Sequence, residues 1–390
     1  MRDAVIVDAV RTPIGKGRPN GALHQIHPAD LLARSLDALI DRTGIDPVLV
    51  DDVIAGCVTQ IGEQALNIGR TGLLAAGFPE SVAATTVDRQ CGSSQQAVHF
   101  AAHTIMAGGY DIAIACGVES MSRVPMGSDT PEGTDVFGSR FDQRYADGIP
   151  HQGVAAELIA AKWNLSRQQL DEFALASHDK AHRATVDGAF ANELIKMDEL
   201  AQDEGIRVGG TMESMANLAA VFYDAEAEKL FPQLKWVVTA GSASQISDAS
   251  CAMLITSSET AKELGLPIRA RIHSAAVAGD DPVYRLTALI PATQKVLKSS
   301  GLSISDIGAF EISEAFSPVP LAWQAETGAD LSKVNQRGGA IALGHPVGAS
   351  GARLMTTLLN TMEATGSRYG LQAMCEGGGV SNATIIELVS

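Results

Sequence analysis

Two cysteines and one histidine, far apart in the chain, each stand at the end of a predicted element. Cys91 lies between a short run that predicts a buried strand, Val82 to Val87, and a run opened by Gly92 that predicts a helix over Ala97 to Met106. A single cysteine is more often a buried structural residue. A thiol at a helix N-terminus, however, faces free N–H groups and the positive end of the helix dipole, which favour thiolate and could hold an oxyanion. Cys91 is therefore the candidate nucleophile.

His345 and Cys375 supply the two further groups that could transfer protons. His345 stands between a glycine and a proline, in a rigid loop that leads into a second predicted helix at Gly348 to Met355. Cys375 ends a predicted strand and precedes three closely spaced glycines, which allow close approach of a ligand and leave N–H donors free. One imidazole and two thiols at element ends form a set suited to acid–base and nucleophilic chemistry.

The composition of the chain limits which partners, bound metals and cellular locations are expected. The chain has 390 residues, 29 basic against 45 acidic, and a net charge of -16, which argues against a nucleic-acid or anionic-membrane surface. Its five cysteines show no CxxC spacing, so neither a disulfide framework nor a metal site is expected and a reducing, cytoplasmic location fits. The N-terminus lacks the pattern of a cleavable signal, and no apolar run reaches the roughly 18 residues of a membrane helix.

Strand and helix patterns alternate in the first part of the chain. Strands are predicted at Ala4 to Val10, Val53 to Val58 and Tyr110 to Gly117, and a helix at Pro28 to Thr43 that Gly44 ends. At this length the chain should form two domains or one large layered unit. The alternation predicts an α/β fold with a largely parallel sheet covered on both faces.

The pattern is interrupted between residues 119 and 235. Ser120 to Pro150 predicts a long loop, and two amphipathic helices follow at Gln152 to Trp163 and at Ser166 to Gly188, the second capped by Ser166 with Gln169 three residues on. This block is predicted to be an insertion that forms a lid or a substrate wall.

The second half of the chain echoes the first. An acidic start runs into a predicted strand at Asp306 to Phe316 as it does at Asp51 to Cys57, and the helix opened by Gly348 matches the one opened by Gly92. Such an echo indicates two duplicated halves that pack against each other.

These segments together resemble the thiolases, a family of acyl-CoA acyltransferases, over almost the full length. The matching segments are Asp88–Ser93, Thr239–Gly241 with Ser244 and Asp248, Ser313–Phe316, Gly344–Pro346 with Gly348 and Ser350–Gly351, and Cys375–Gly379. The resemblance implies a duplicated αβαβα five-layer sandwich with an inserted loop domain. Residues 1–118 with 236–265 would form the N-terminal half, 119–235 the loop domain that binds CoA and makes oligomer contacts, and 266–390 the C-terminal half.

The resemblance also implies roles for the site residues. Cys91 would attack the keto carbon of a 3-ketoacyl-CoA and keep the shortened acyl group as a thioester, while His345 takes its proton and the resulting ion pair favours the thiolate. Cys375 would protonate the acetyl-CoA enolate, or remove the α-proton in the condensing direction. The N–H groups of Cys91 and Gly377 would form an oxyanion hole. His151, Ser244, Ala315 and Phe316 match positions that bind the substrate and CoA.

Two departures from the family pattern affect these expectations. Ser313 stands where relatives usually carry an asparagine, so a shorter hydroxyl would have to hold the water beside His345, which predicts a weakened or repositioned first oxyanion hole. Asn217 to Ala220 stands where many relatives carry a basic residue, and an acidic loop at Asp224 to Glu228 follows, so CoA is expected to be held mainly through pantetheine.

The remaining implications concern ligands, assembly and competing functions. The resemblance implies no permanently bound cofactor, coenzyme A as co-substrate, a homodimer or homotetramer, and a degradative enzyme of actinobacterial type whose acyl group is bulky, steroid-derived or a fatty acid; Met126 and Gly127 in the long loop would leave room for it. A ketoacyl-synthase-like condensing enzyme and a catalytically impaired acyl-CoA- or lipid-binding homologue stay open.

Overall fold

A computed structural model describes residues 2–389, so the outermost residues of the predicted halves, Met1 and Ser390, lie outside it. The strands within that range are β1 Val5–Arg11, β2 Gly15–Lys16, β3 Asp52–Gly56, β4 Ala83–Val87, β5 Ile112–Ser120, β6 Ser247–Thr256, β7 Ala270–Gly279, β8 Ala309–Ile312, β9 Tyr369–Glu376 and β10 Val380–Leu388.

The helices of the same range are α1 Pro28–Thr43, α2 Ile68–Ala75, α3 Ser93–Met106, α4 Ser139–Arg144, α5 Gln152–Lys162, α6 Arg167–Val186, α7 Met212–Ala216, α8 Ala225–Leu230, α9 Ser258–Glu263, α10 Leu289–Ser300, α11 Pro318–Thr327, α12 Ala340–Leu343 and α13 Ser350–Thr365. Short 3₁₀ helices lie at Pro47–Leu49, Gly62–Gln64, Ile304–Asp306 and Leu331–Lys333.

The strands pair in the order β4-β3-β5-β6-β1-β7-β10-β9-β8, with β2 beside β6. Only β3 with β4, β3 with β5 and β8 with β9 are parallel among the described strands, and the other pairings are antiparallel. The prediction of a largely parallel sheet is therefore wrong. The parallel strands lie at the two edges of this order, β4-β3-β5 at one and β9-β8 at the other, and the strands between them pair antiparallel.

Helices separate the sheet into layers. α3 packs on β3 and β5, α13 packs on β8 and β9, and the two helices contact each other, so they form a central layer between the halves. α1 and α2 cover the outer face of the N-terminal strands, and α10 covers that of β7 and β10. This is the five-layer α/β arrangement that the resemblance implies.

The predicted duplication is visible in the connections. A parallel pair of strands is joined through a central helix twice, as β3 and β5 with α3 and as β8 and β9 with α13. The N-termini of α3 and α13 therefore meet: the amide of Ala352 donates to the Ser94 hydroxyl at 2.8 Å, and a Cβ added to Gly351 would lie 2.3 Å from the Gln95 nitrogen. The fold thus brings the loops that precede both helices to one place.

β4, which precedes the Cys91 turn, is not the buried strand that its apolar residues predict. It pairs only with β3 at the end of the strand order, and its five residues are exposed or half-buried. An edge strand keeps one side free of pairing, which explains the exposure.

The interrupting block contains two long helices, α5 and α6, and three short ones, α4, α7 and α8, joined by loops. α5 and α6 lie where two helices are predicted, and α6 has the predicted capping box between Ser166 and Gln169. Of the predicted loop Ser120 to Pro150, the first residue ends β5, and residues 121–150 form a loop that contains only the short α4. The acidic segment expected to be a loop instead starts α8, because Asp224 caps the helix and Glu226 and Glu228 lie in its first turn. No helix within residues 2–389 is long and apolar enough to span a membrane.

Candidate active site

One cavity of about 680 Å³ collects most of the candidate residues. Such a volume suits a small-molecule or cofactor site. The predicted site residues that line it are Cys91, His151, Ser244, Ala315, Phe316, His345 and Gly377. Cys375 and Ser313 lie directly behind this surface and are fully buried. The tertiary structure therefore brings together all of the side chains singled out from the sequence.

Cys91 occupies the turn between β4 and α3. Gly92 is the N-cap of the helix, so the thiol precedes it by one residue. Gln90, immediately before the nucleophile, has a φ of 49°, an uncommon conformation for a residue other than glycine. The N–H groups of Gly92 and Ser93 donate to the carbonyls of Arg89 and Gln90 at 3.0 Å, which closes the turn. The strained turn exposes Cys91 to the cavity but uses two of the N–H groups expected to face the thiol.

The pKa of Cys91 moves in the opposite direction to the one expected. Burial raises it, and the neighbouring Cys375 and Glu376 raise it further because each could carry a like charge. The backbone N–H of Cys91 itself points at the sulfur and opposes the rise. Desolvation outweighs this N–H, so the thiol of the free protein is neutral.

His345 is fixed by its own loop. Its backbone N–H donates to the Gln245 carbonyl at 2.9 Å and to the Ser247 hydroxyl at 3.1 Å. Its Nδ1 lies 2.7 Å from the Ser350 hydroxyl, which itself donates to the Pro346 carbonyl at 2.9 Å. Since that hydroxyl has one proton, it accepts from Nδ1–H, and the imidazole carries its proton on Nδ1.

The other imidazole nitrogen is therefore a free base. Nε2 of His345 is buried and has no hydrogen-bond partner among the described residues. Burial lowers the pKa of His345 to about 4, with a further contribution from the Arg353 guanidinium. At neutral pH the imidazole is uncharged and can accept a proton in the cavity.

Cys375 has two hydrogen-bond partners that the sequence did not reveal. Its sulfur lies 3.3 Å from the Ser313 hydroxyl, and the N–H of Ala315 points at it. Burial raises the pKa of Cys375 to about 11, and the hydrogen bond from Ser313 opposes that rise. The sequence predicts that Ser313 serves His345 through a water; the structure places its hydroxyl at the second thiol.

Close contacts join the two thiol segments. A Cβ added to Gly92 would lie 1.8 Å from Oε1 of Glu376, so only glycine permits this carboxyl to lie beneath the nucleophile turn. A Cβ on Gly377 would lie 2.7 Å from Oε1 of Gln90. The loop that contains Gly377, whose N–H is predicted to form part of the oxyanion hole, thus lies against the turn that carries Cys91.

Aromatic rings form another wall of the cavity. His151 is the N-cap of α5 and accepts the Gly153 N–H at Nδ1, and its ring lies 5.9 Å from that of Phe222. Phe222 contacts Phe316 edge-on at 5.5 Å. Gly153 makes room for the Phe222 ring, since a Cβ there would lie 2.1 Å from it. Sequence reasoning missed Phe222, which no motif marks.

Ser244 and the residues after Ser313 form one strip of this wall. The Ser244 N–H donates to the Ala315 carbonyl at 2.9 Å, and the Ser317 N–H donates to the Ser242 carbonyl at 2.8 Å. The bonded residues are 71 and 75 positions apart in the chain, and the two segments thereby present their backbone edges and Phe316 to the cavity together.

Glu119, at the end of β5, is a buried carboxylate that sequence reasoning also missed. It accepts the N–H groups of Val58, Thr59 and Gly348 and the Gln64 side chain, all at 2.8 to 3.1 Å. Burial raises the pKa of Glu119, and these four donors oppose the rise. In the sequence, Glu119 ends the run Cys116-Gly-Val-Glu119, which only weakly indicates a functional residue. Glu119 ties the N-terminal half to the loop that carries His345.

Cations also line the cavity, although the whole chain is acidic. Lys16, Arg18 and Arg207 are exposed, and Arg285 is half-buried. Asn217 to Ala220 does not contribute to the lining, whereas Met126 of the long loop does. Among residues 2–389, no group of three or more His, Cys, Asp or Glu side chains could hold a metal ion.

Comparisons with known proteins agree over the whole chain. The profile described as "Thiolase, N-terminal domain" matches residues 4–259, and "Thiolase, C-terminal domain" matches residues 266–388. The steroid 3-ketoacyl-CoA thiolase FadA6 of Mycobacterium tuberculosis is 49% identical, covering 99% of this chain and 94% of that protein. A 3-ketoacyl-CoA thiolase of Aliivibrio fischeri is 44% identical, covering 99% and 100%. The crystal structure of the Bacillus anthracis acetyl-CoA acetyltransferase superposes with a TM-score of 0.87 at 34% identity, covering 100% and 99%.

Proposed function

Because the chain belongs to the thiolase family, we propose that it is an acyltransferase that cleaves a 3-ketoacyl-CoA with coenzyme A through an acyl-enzyme at Cys91. The observation that carries this proposal is the arrangement of Cys91, the free Nε2 of His345 and Gly377 around one cavity, with Cys375 directly behind it. A nucleophile, a base and an acid around one pocket are what the reaction requires.

In the first half-reaction, the Cys91 thiol gives its proton to Nε2 of His345 and its sulfur bonds to the keto carbon of the substrate. The bond between the α-carbon and the former keto carbon then breaks. Its electron pair forms the acetyl-CoA enolate, which takes a proton from the Cys375 thiol. Acetyl-CoA leaves, and the shortened acyl group stays on Cys91 as a thioester.

In the second half-reaction, the Cys375 thiolate removes the thiol proton of an incoming CoA. The CoA sulfur attacks the thioester, whose oxygen would be held by the N–H groups of Cys91 and Gly377. When the tetrahedral intermediate collapses, the Cys91 thiolate leaves and recovers its proton from His345. Each group returns to its starting protonation state, so the cycle also runs backwards as a condensation.

Ser313 and Ala315 fit this cycle as stabilisers of the Cys375 thiolate. A thiolate formed in a buried site needs hydrogen-bond donors, because desolvation otherwise opposes its charge. The Ser313 hydroxyl at 3.3 Å and the Ala315 N–H supply two. We propose this role for Ser313 in place of holding a water beside His345.

The two competing functions are less well supported by the site. A condensing enzyme of the ketoacyl-synthase kind would use a second imidazole beside its nucleophile, whereas the group behind Cys91 is the Cys375 thiol and His151 uses Nδ1 to cap α5. A silent acyl-CoA-binding homologue would have no need for an unpartnered buried Nε2 on His345.

Intact-protein mass spectrometry tests the proposal. The protein incubated with a 3-ketoacyl-CoA panel that starts at acetoacetyl-CoA should gain the mass of the shortened acyl group, and free CoA should remove it. Cys91→Ser should gain none. Failure of every panel member to acylate the wild-type protein would contradict the proposal, and stable acylation that CoA does not reverse would favour the silent homologue.

The acyl group, the location, the cofactor requirement and the assembly of the enzyme are proposed as well. We propose that the acyl group is a fatty-acid or steroid-derived chain, that the enzyme works in the cytoplasm without a permanent cofactor, and that it assembles as a dimer or tetramer. The exposed edge strand β4 offers a surface for self-association. Light scattering after size-exclusion chromatography would measure the assembly. The division into residues 1–118 with 236–265, 119–235 and 266–390 stays a prediction.

A further inference from the structure

Arg285 is a cavity-lining cation that none of the steps above uses. It lies in the loop between β7 and α10, is half-buried, and faces the same cavity as Cys91. Its φ is 51°, so its backbone is held in the left-handed region. A bulky residue persists in that region only where the surroundings fix it, which is common at ligand-binding positions.

The guanidinium is incompletely satisfied within the protein. Nη1 donates to the Pro150 carbonyl at 3.0 Å, while Nε is buried and has no partner among the described residues. Burial lowers the pKa of Arg285, and among residues 2–389 the only group whose ionisation would oppose this is the Cys91 thiol, so no carboxylate neutralises the guanidinium. A guanidinium nevertheless stays charged at any physiological pH. Arg285 is therefore an unpaired cation close to the nucleophile.

The loop around Arg285 is fixed to the catalytic loop. The Asp280 N–H donates to the Gly379 carbonyl at 2.8 Å, and the Thr287 hydroxyl donates to the Asp280 carboxylate at 2.7 Å. The Arg285 N–H donates to the Asp281 carbonyl at 3.1 Å. These bonds hold the cation in place relative to Cys91 before any ligand arrives, which reduces the cost of ordering it on binding.

The charge of the cavity points to an anionic ligand. Its lining includes Lys16, Arg18, Arg207 and Arg285 and no aspartate or glutamate, in a chain whose net charge is -16. The first three cations are exposed and can serve the phosphates of CoA. The whole pantetheine arm separates those phosphates from the reacting thioester, whereas Arg285 faces the cavity within electrostatic reach of Cys91, to which the acyl part must bind.

We propose that Arg285 binds a carboxylate carried by the acyl part of the substrate, so that the preferred substrate is a 3-ketoacyl-CoA that ends in an acid rather than in an alkyl group. This inference rests on the proposed function. A carboxylate would pair with this unneutralised guanidinium, since arginine binds carboxylates through two parallel hydrogen bonds. A plain alkyl chain would leave a buried guanidinium facing apolar groups, which is unfavourable.

The experiment compares matched substrates that differ only at the far end. Steady-state thiolysis is measured with 3-oxoadipyl-CoA against 3-oxohexanoyl-CoA, and with longer pairs of the same kind. We expect kcat/KM to favour the acid in at least one pair by about tenfold or more, as one charged hydrogen-bonded contact provides. Arg285→Met should abolish that preference mainly through a higher KM for the acid, and Arg285→Lys should restore part of it.

Arg207→Met is the matched control, because it removes an exposed cation from the same cavity. It should leave the acid-to-alkyl ratio as in the wild type. Three results would each overturn the assignment. The wild type could prefer the alkyl member of every pair, or Arg285→Met could lose activity equally on both members. The third is that Arg207→Met, and not Arg285→Met, loses the acid-to-alkyl ratio. If both members of a pair acylate Cys91 and kcat/KM shows no preference, only the inference about Arg285 is refuted. If no substrate forms an adduct on Cys91, the proposed function is refuted as well.

Discussion

The hydroxyl of Ser313 lies 3.3 Å from the sulfur of Cys375, in a part of the site closed to solvent. The two residues come from the ends of the neighbouring parallel strands β8 and β9, so the sheet itself sets their separation. This chain thus places a small hydroxyl, which can both accept from the thiol and donate to the thiolate, next to the second cysteine.

Removing the Ser313 hydroxyl should slow the enolate step. Ser313→Ala is expected to lower kcat by about tenfold, because a hydrogen bond to a charged sulfur is lost, and to raise the pH at which the Cys375-dependent step ionises. Ser313→Thr keeps the hydroxyl and should retain most of the activity. Ser313→Asn should lower turnover because the larger amide must fit a site that buries the serine completely. Steady-state kinetics against pH measure all three, and an unchanged kcat in Ser313→Ala would show that the hydroxyl is idle.

Ser350 should set the working tautomer of His345. Its hydroxyl accepts Nδ1–H and donates to the Pro346 carbonyl. In Ser350→Ala the imidazole loses this partner and can carry its proton on Nε2, where it cannot act as a base. We expect kcat to fall by about tenfold to a hundredfold, within the range that general-base catalysis contributes. Thermal unfolding of the variant checks that the fold survives; wild-type kcat in a folded Ser350→Ala protein would contradict the assigned tautomer.

The pKa of Cys91 predicts how its alkylation depends on pH. Because burial raises the pKa, the thiol of the free protein is neutral near neutrality. The rate of iodoacetamide modification, followed by peptide mass spectrometry, should rise continuously between about pH 6 and pH 9, since only the thiolate reacts. A rate that is already constant across this range would instead indicate a preformed thiolate–imidazolium pair. Cys91→Ser gives the background from the other cysteines.

Acid should destabilise the protein partly through His345. Its pKa is lowered to about 4 in the folded state, whereas an unfolded histidine has a pKa of about 6.5, so the unfolded state binds more protons between these values. The free energy of unfolding should therefore fall as the pH drops from about 6.5 to 4, by about 3 kcal/mol from this group. Urea unfolding at several pH values measures it.

His345→Asn is the control for this dependence, since it cannot titrate and should show a smaller acid loss. The buried His99, with a pKa lowered to about 3, and His178, lowered to about 4, account for part of what remains. An identical pH dependence in wild type and His345→Asn would show that His345 does not contribute.

Glu119 should be needed for the position of the His345 loop. Its carboxylate accepts hydrogen bonds from four donors, one of them the Gly348 N–H. Glu119→Gln replaces one acceptor oxygen by an NH₂ that must face an N–H donor, so we expect a loss of about 1–3 kcal/mol in the free energy of unfolding and a lower kcat. Denaturant unfolding and thiolysis kinetics measure both. Full activity and stability in Glu119→Gln would show that the loop does not depend on this carboxylate.

The sequence alone determined much of the local structure and singled out three candidate residues of the site. α1 has the predicted bounds, Pro28 to Thr43, because proline at its first position and Gly44 after its end act within a few residues. The capping box of α6 is local in the same way. Cys91, His345 and Cys375 could be singled out because each stands at an element end beside glycines, which is a pattern of neighbours in the chain.

The tertiary structure decided how these residues behave. A strand pattern does not specify its partners, so the antiparallel additions to the sheet and the exposure of β4 could not be predicted locally. The raised pKa of Cys91 comes from burial in the packed molecule and from Cys375 and Glu376, which lie far away in the chain. The unpaired Arg285 and the Ser313–Cys375 contact likewise exist only where distant loops meet. The burial of a side chain and the identity of its contacts depend on how distant segments pack together. They therefore cannot be predicted from the neighbours of a residue in the sequence.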